Sequence, residues 1–308
     1  ECFGTEADEA FMAHAYATYV EVVAAAGRAE FDVPLYVNAW LDSNGESDGG
    51  DSELALSGGA RPGEYPSGGP LRHTAPVWRA ATPTVDFFAP DIYFGSFDVL
   101  AREYRQIDGI LFIPEMRCDR TGVVQMFRAI GAEGAAGVSP FAVDAITPGE
   151  DDFDHVADAF RLLRALGGLM ARDPGLEVRG FSLEPGEGSI DLAFGETEFI
   201  IAQAFTEIFP ADGAGFGCLV RMSTGEFYAL GRGYSLSLRQ SETGRRAFLR
   251  AEELDPAHEH LEVARVLNGD ESGEWIRMTA LRQTQSAVFP IRQNIRMSGL
   301  VRFTTYAY

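Results

Sequence analysis

An apolar run ends in a carboxylate in the segment Gly109-Ile110-Leu111-Phe112-Ile113-Pro114-Glu115-Met116-Arg117. The run from Ile110 to Ile113 is typical of a parallel strand that is buried on both faces. Strand pairing should stop at Pro114, because proline has no N–H group to donate. Glu115 then lies where the strand meets a loop, and a carboxylate beside so much apolar sequence is costly unless it is paired or used. The segment predicts a strand that brings a catalytic acid to the rim of a barrel, with a loop-mouth ion pair as the alternative.

Helices and strands alternate over the first 170 residues. Helices are predicted at residues 5–26, 71–81, 97–105, 123–130 and 153–170, and the first should begin at a capping box and end at Gly27. Strands are predicted at residues 33–40, 85–93 and 136–141 and in the segment that ends at Glu115. Polar or aromatic side chains stand at the strand ends: Asn38 and Trp40, Asp91 and Tyr93, Glu115, and Ser139 and Phe141.

This alternation predicts an α/β fold that forms part of a (β/α) barrel, with the chemistry at the carboxyl ends of the strands. Four strands are found, about half of the number in a complete barrel. A doubly wound open sheet is the rival architecture, and it is disfavoured because no glycine-rich phosphate-binding turn is present.

The periodicity of the sequence changes to two after residue 178, which predicts an all-β domain, most simply a sandwich. Strands are predicted at residues 189–194, 217–222, 226–230, 235–238, 261–267, 275–278 and 299–308. Hairpin turns are predicted at residues 223–225 and 268–269. We therefore expect a partial barrel at residues 1–175 and a β-sandwich at residues 176–308. Trp275 could be a platform for a sugar, although a core position is the simpler interpretation.

The chain carries a net charge of −21, and all 25 of its basic residues are arginine. This balance argues against binding to nucleic acid, which needs a basic face, and against binding to anionic lipid. No apolar run approaches the roughly 20 residues that would cross a bilayer. The three cysteines, Cys2, Cys118 and Cys218, form neither a metal-binding spacing nor a disulfide framework. A neutral substrate such as a sugar fits this composition, and we expect no metal and no cofactor.

Several segments resemble bacterial glycoside hydrolase family 35, the β-galactosidases, in the branch that has a C-terminal β domain. The segments that carry this resemblance lie at residues 3–13, 35–41, 62–70, 89–93, 112–115 and 139–141, and residues 178–308 are similar to the β domain of that branch. The resemblance implies a (β/α)8 TIM barrel and a retaining mechanism on a terminal β-galactosyl residue. Such enzymes use two carboxylates about 5 Å apart, one as the nucleophile and one as the acid/base.

Glu115 matches the family nucleophile at the end of the seventh barrel strand, and Tyr93, on the sixth, matches a tyrosine that hydrogen-bonds the nucleophile. A donor at that position keeps a carboxylate ionised and in place. Trp40 is similar to a stacking surface for the apolar face of a sugar, and Asn38 to a residue that bonds a hydroxyl group. Without the family, Tyr93 and Trp40 could simply pack at strand ends and Asn38 could cap a loop.

Glu64 and Tyr65 lie on a loop that the resemblance brings to the pocket, although Glu64 could also be only solvated. One departure from the family is large: its acid/base glutamate follows an asparagine, and no Asn-Glu pair occurs in this sequence. The match therefore covers strands five to eight of the barrel, with strands one to four missing. We expect the full-length protein to be periplasmic or extracellular. The sequence does not predict an oligomeric state.

The expected partners are a β-galactoside or oligosaccharide substrate and the missing N-terminal half of the barrel, because a half barrel exposes sheet edges and an inner face. The first hypothesis is a glycosidase fragment that holds the nucleophile but not the acid/base, and is therefore inactive alone. The alternatives are a non-catalytic carbohydrate-binding module, with the β domain as its functional part, and a structural fragment.

Overall fold

The computed structural model describes residues 4–41, 67–93, 95–203, 213–239, 246–256, 261–268, 289–290 and 299–307. The protein is a mixed α/β chain with one parallel sheet and two antiparallel sheets. It divides into two compact units, the first of residues 1–118 and 133–144 and the second of residues 119–132 and 145–308. The second unit includes two helices that precede residue 175, and the predicted domain boundary between residues 175 and 176 stays a prediction.

The first unit alternates helices and strands, as the sequence predicts. After a short 3-10 helix at Gly4–Glu6, its elements are α1 (Ala7–Glu30), β1 (Tyr36–Ala39), α2 (Ala75–Ala81), β2 (Phe87–Ile92), α3 (Phe97–Asp108), β3 (Phe112–Met116) and β4 (Gly137–Pro140). The four strands are parallel and follow one another in the order β1-β2-β3-β4. Because the strands are parallel, the carboxyl ends of all four lie at one edge of the sheet.

Helix α1 runs past the point where the sequence places its end. Gly27 keeps a helical backbone, and its carbonyl oxygen accepts a hydrogen bond of 2.9 Å from the Phe31 N–H group, which closes the helix after Glu30. A glycine ends a helix when the chain needs a left-handed residue there, and Gly27 is not left-handed. The residue at the N-cap is Glu6, and it makes no side-chain capping bond.

One face of the parallel sheet is packed against helices, and the other is not covered by the described residues of this unit. Phe88, Ile92 and Ile113 are fully buried, and the Trp78 ring of α2 meets the Phe88 ring edge-on at 6.0 Å. Tyr36, on the opposite face, is 44% exposed. The prediction that Ile110 to Ile113 are buried on both faces is therefore wrong. Ile110 precedes β3 and is 41% exposed, and Phe112 is only partly buried because helices cover the other side of the sheet.

The second unit has two helices and ten described strands. Its elements are α4 (Arg120–Gly131), α5 (Asp151–Arg172), β5 (Glu177–Leu183), β6 (Ser189–Phe194), β7 (Thr197–Gln203), β8 (Gly215–Arg221), β9 (Phe227–Arg232), β10 (Tyr234–Leu238), β11 (Arg246–Leu254), β12 (Val263–Asn268), β13 (Phe289–Pro290) and β14 (Gly299–Ala307). The predicted turn at residues 223–225 is confirmed, because the Met222 N–H group bonds the Glu226 carbonyl across it. The predicted strand at residues 275–278 and Gly269 lie outside the described residues.

Two antiparallel sheets of this unit share one hydrophobic core, in a sandwich-like arrangement. One sheet has the order β12-β11-β14-β9-β8-β5 and the other β13-β10-β7-β6. The rings of Phe199 on β7 and Phe227 on β9 lie 5.2 Å apart, so side chains from both sheets meet. Strands β5, β7, β11 and β13 were not predicted. The sequence of β11, Arg-Ala-Phe-Leu-Arg-Ala-Glu-Glu-Leu, favours a helix by composition and becomes a strand because β12 and β14 flank it.

Helix α4 packs against β5 and β8, and two glycines allow a close approach to β5. A Cβ atom added at Gly131 would lie only 2.5 Å from the Gly180 Cα atom on β5, so the two backbones touch. Beside this contact, the Phe127 ring packs on the Phe216 ring at a centroid distance of 5.1 Å. Helix α5 is joined to β9 by an ion pair between the nearly buried side chains of Asp158 and Arg232.

Because α4 and β5 approach so closely, we predict that a single methyl group added at Gly131 destabilises the protein. We expect Gly131→Ala to lower the free energy of unfolding by about 1–3 kcal/mol, the usual cost of overpacking a closed site. Gly167→Ala on α5 is the matched control, because a Cβ there meets nothing within 4 Å. It should raise stability by about 1 kcal/mol, since alanine favours a helix over glycine. Urea unfolding followed by circular dichroism measures both, and equal stability of the two variants would contradict the packing.

Candidate active site

A register shift in β3 sets the direction of the Glu115 side chain. The prediction that strand pairing stops at Pro114 is wrong, because Glu115 and Met116 still pair with Asp91 and Ile92 of β2. The pairing of β3 with β4 slips between Ile113 and Met116, on either side of Pro114. In a regular strand, Phe112 and Glu115 would point to opposite faces, because they are three residues apart. Here the Phe112 ring packs on the Tyr36 ring at 5.0 Å, while Glu115 is bonded by Asn38, which shares a face of β1 with Tyr36. The irregularity therefore turns Glu115 to the uncovered face, as bulges beside active sites commonly do.

Both oxygen atoms of the Glu115 carboxylate accept hydrogen bonds from neighbouring strands. The Tyr93 hydroxyl donates to Oε2 at 2.9 Å, and the Asn38 Nδ2 group donates to Oε1 at a longer 3.4 Å. The same Nδ2 group donates to Asp91 Oδ1 at 3.0 Å. Three strands, β1, β2 and β3, thus fix one carboxylate at the carboxyl edge of the parallel sheet. Asn38, Tyr93 and Glu115, which the sequence names as site residues, lie together.

The Tyr93 hydroxyl keeps its proton throughout the physiological range. Burial raises the pKa of Tyr93 well above its usual value, and the hydrogen bond to Glu115 raises it further. The charges of Glu115 and Asp91 act in the same direction. A phenol in these surroundings is a permanent donor toward Glu115, which is what positioning a nucleophile requires.

Asp91 belongs to the site, although the sequence analysis names it only as the polar end of a strand. Its Cα atom is the register partner of the Glu115 Cα atom on β3. Burial raises the pKa of Asp91 to about 7, the charge of Glu115 raises it as well, and the bond from Asn38 acts in the opposite direction. The signal for Asp91 was present in the sequence, because it lies two residues before Tyr93 and so shares its face of β2.

Two aromatic side chains stand exposed near the same edge of the sheet. Trp40 follows β1, two residues after Asn38, and is 39% exposed, so it is not a core tryptophan. Phe141 follows β4, is 57% exposed, and meets the Tyr93 ring edge-on at 6.2 Å. Their exposure leaves ring area available for contact with a ligand. The sequence names Trp40 as a candidate and gives Phe141 only as a strand end.

Glu64 and Tyr65, the remaining candidates, lie outside the described residues, and their roles stay predictions. In the part of the chain that the structure describes, no group of three or more histidine, cysteine or acidic residues could hold a metal ion. Burial raises the pKa of the Cys218 thiol to about 12, which makes it unsuitable as a nucleophile. Cys2 is outside the described residues. No helix within the described ranges is long and apolar enough to span a membrane.

A comparison with known protein families finds a match in the second unit. Residues 156–279 match the family described as Domain of unknown function (DUF5597). The matched range begins within α5 and includes β5 to β12 but not β13 and β14, and it does not include Asn38, Asp91, Tyr93 or Glu115. No curated protein matches the chain.

Asp91 makes the stability of the protein depend on pH. Its folded pKa of about 7 lies above the ordinary value of 3.8, so the folded state holds a proton that the unfolded state releases. The contribution of Asp91 to stability is therefore greatest at low pH, falls as the pH rises between these two values, and is constant above them.

We expect Asp91→Asn to remove this dependence, because the amide cannot ionise. Above pH 7 the variant should be more stable than the wild type by about 2 kcal/mol, roughly half of what the full shift implies, since solvent screens a partly exposed group. The gain should vanish near pH 4. Urea unfolding across this range measures it, with Asp144→Asn, at an exposed position, as the control. A gain that is independent of pH would contradict the assignment.

Proposed function

We propose that this chain carries the nucleophile-bearing half of a retaining β-galactosidase-like glycoside hydrolase of the family 35 type, with Glu115 as the nucleophile. The observation that carries the proposal is that Glu115 accepts two hydrogen bonds, one from Tyr93 at 2.9 Å and one from Asn38 at 3.4 Å. A glycosidase nucleophile must be charged and aimed at the anomeric carbon. Two donors from adjacent strands serve both purposes.

The strand order supports a barrel origin for the parallel sheet. A sheet that runs β1-β2-β3-β4 without reversal has no topological switch point, which a doubly wound sheet requires for its ligand site. The polar side chains stand at the carboxyl edge, where barrel enzymes hold their chemistry. We therefore propose that the four strands correspond to strands five to eight of a TIM barrel.

The proposed chemistry is a double displacement. A Glu115 oxygen forms a bond to the anomeric carbon while the bond from that carbon to the aglycone oxygen breaks, and the departing oxygen takes a proton from the acid/base. Water then attacks the anomeric carbon, gives its proton to the acid/base and releases Glu115. The acid/base would come from the missing half of the barrel, because the sequence contains no Asn-Glu pair.

The substrate would lie on the uncovered face of the sheet, near its carboxyl edge. Exposed Trp40 and Phe141 offer ring surface to the apolar face of a pyranose, and Asn38 and Tyr93 offer polar contacts to hydroxyl groups. The choice of galactose over another hexose rests on the resemblance to family 35. The net charge of −21 suits a neutral glycoside better than an anionic one.

The uncovered face also supports the proposed partner. Tyr36, Phe87 and Phe112 form an aromatic cluster on this face, with ring centroids 5.0–6.3 Å apart, and Tyr36 stays 44% exposed. In a complete barrel, inward-facing side chains of this kind are packed by the remaining strands. The upstream half of a barrel is the partner that fits this surface.

The first test is covalent labelling of Glu115. The full-length protein is treated with a 2-fluoro-galactoside that has an activated leaving group, which slows release of the glycosyl-enzyme. Peptide mass spectrometry should then locate one galactosyl ester on Glu115, and none in Glu115→Gln. Glu30→Gln, at an exposed position on α1, is the control and should label as the wild type does. An ester on a different carboxylate would reject Glu115 as the nucleophile.

The second test separates the two halves of the proposed enzyme. This chain alone should not hydrolyse an aryl β-galactoside at a measurable rate, because the acid/base is absent from its sequence. Co-expression with the upstream segment, if it carries an Asn-Glu pair, should give turnover that Glu115→Gln lowers by about 10³-fold or more. Full activity of this chain by itself would contradict the account of what is missing.

A further inference from the structure

We propose that Asp91 and Glu115 form a carboxyl pair that keeps one proton as the pH rises from acid toward neutral, with the proton on Asp91 and the negative charge on Glu115. In this pair Asp91 is a positioning residue, which acts on Glu115 through the Asn38 amide. The catalytic meaning of the pair rests on the proposed function, since it describes how the nucleophile is kept charged and oriented.

Three elements bring the groups of the pair together. Asp91 on β2 and Glu115 on β3 are register partners, so their Cα atoms stand side by side across the parallel ladder. Asn38 on β1 donates from Nδ2 to Asp91 Oδ1 at 3.0 Å and to Glu115 Oε1 at 3.4 Å. The two carboxyl groups therefore meet the same nitrogen atom and lie close to each other.

No cation compensates for this proximity within the described part of the chain. No described arginine or histidine forms an ion pair with Asp91 or Glu115, although many other acidic residues of the protein have such partners. The described titratable groups that face Asp91 are Glu115 on β3 and Tyr93 on its own strand, while β1 contributes the neutral Asn38. Two carboxyl groups that meet the same donor, in part buried and without a counter-charge, lose their protons in separate steps, so one of them keeps its proton to a higher pH.

The hydrogen bonds decide which group keeps the proton. Glu115 accepts two bonds, from Tyr93 and Asn38, whereas Asp91 accepts one, from Asn38. Donors stabilise the charged form of a carboxyl group, so the group with more donors holds the charge. The raised pKa of Asp91, about 7, agrees with this geometry. Asp91 lies beside Glu115 in the same sheet, not across a pocket from it, which suits positioning better than the role of acid/base.

The Asn38 amide is the connection through which Asp91 acts. The amide has two N–H groups on one nitrogen, and the bond to Asp91 fixes the side of the amide on which that nitrogen lies. The second N–H group then points at Glu115. A protonated Asp91 keeps a carbonyl oxygen that accepts this bond, and it adds no second negative charge beside the nucleophile.

Carbon-13 NMR of the side-chain carboxyl groups tests the pair in the full chain without any substrate. With aspartate labelled, one resonance should titrate near pH 7, and that resonance should be missing from Asp91→Asn, which assigns it. Glu115→Gln removes the neighbouring charge, and the Asp91 titration should move to lower pH by about one unit, the size of coupling that defines an interacting pair. Asp144→Asn, which changes an exposed aspartate, should leave that titration where it was.

Two outcomes would overturn the inference: an Asp91 resonance that titrates near the ordinary value of 3.8, or one that Glu115→Gln leaves unmoved. If a variant does not fold, the wild-type spectrum still decides, since a protein in which no aspartate titrates near neutrality has no such pair. The result is independent of the labelling test. If Asp91 titrates as expected and no ester forms on Glu115, the pair stands and the glycosidase is rejected. If an ester forms on Glu115 and Asp91 does not titrate near neutrality, the glycosidase stands and the pair is rejected.

Discussion

The alignment of Asp91 with Glu115 across two parallel strands is the constraint on which the candidate site depends. It places two acids side by side, and the adjacent strand supplies the amide that bonds both. The register slip around Pro114 then turns Glu115 toward the open face, where Tyr93 reaches its second oxygen. A shift of one residue in either strand would separate these groups, because side chains alternate between the faces of a sheet.

The two faces of the parallel sheet have different roles in the first unit. The helix-covered face supplies stability, through fully buried Phe88, Ile92 and Ile113. The other face carries the aromatic cluster of Tyr36, Phe87 and Phe112 and, toward the carboxyl edge, the polar group around Glu115. Exposed rings and a carboxylate with two hydrogen-bond donors therefore share one face of the sheet. The proposed enzyme and the proposed upstream partner both rest on this face.

Much of the fold follows from local pattern, and the exceptions have physical causes. The alternation of helices and strands is correct because apolar spacing and the breaks at Thr82-Pro83 and Arg172-Asp173-Pro174-Gly175 are local signals. Helix α1 continues past Gly27 because a glycine allows a helix to end but does not force it to end there. Strand β11 was missed because its alanine, glutamate and leucine content favours a helix, and only its two neighbouring strands make it extended.

The sequence by itself determined the residues that could act and the acidity of the chain. Those residues are a glutamate after an apolar run and a tyrosine and an asparagine at the ends of two other strands. Those properties are local or compositional, so they can be read without knowing which strands are neighbours. Only the tertiary structure decided that Asp91 joins them, that one amide bonds both acids, and that the described residues of the first unit cover one face of the parallel sheet and not the other. Each of these depends on register and burial, which arise when strands far apart in sequence pair and exclude water.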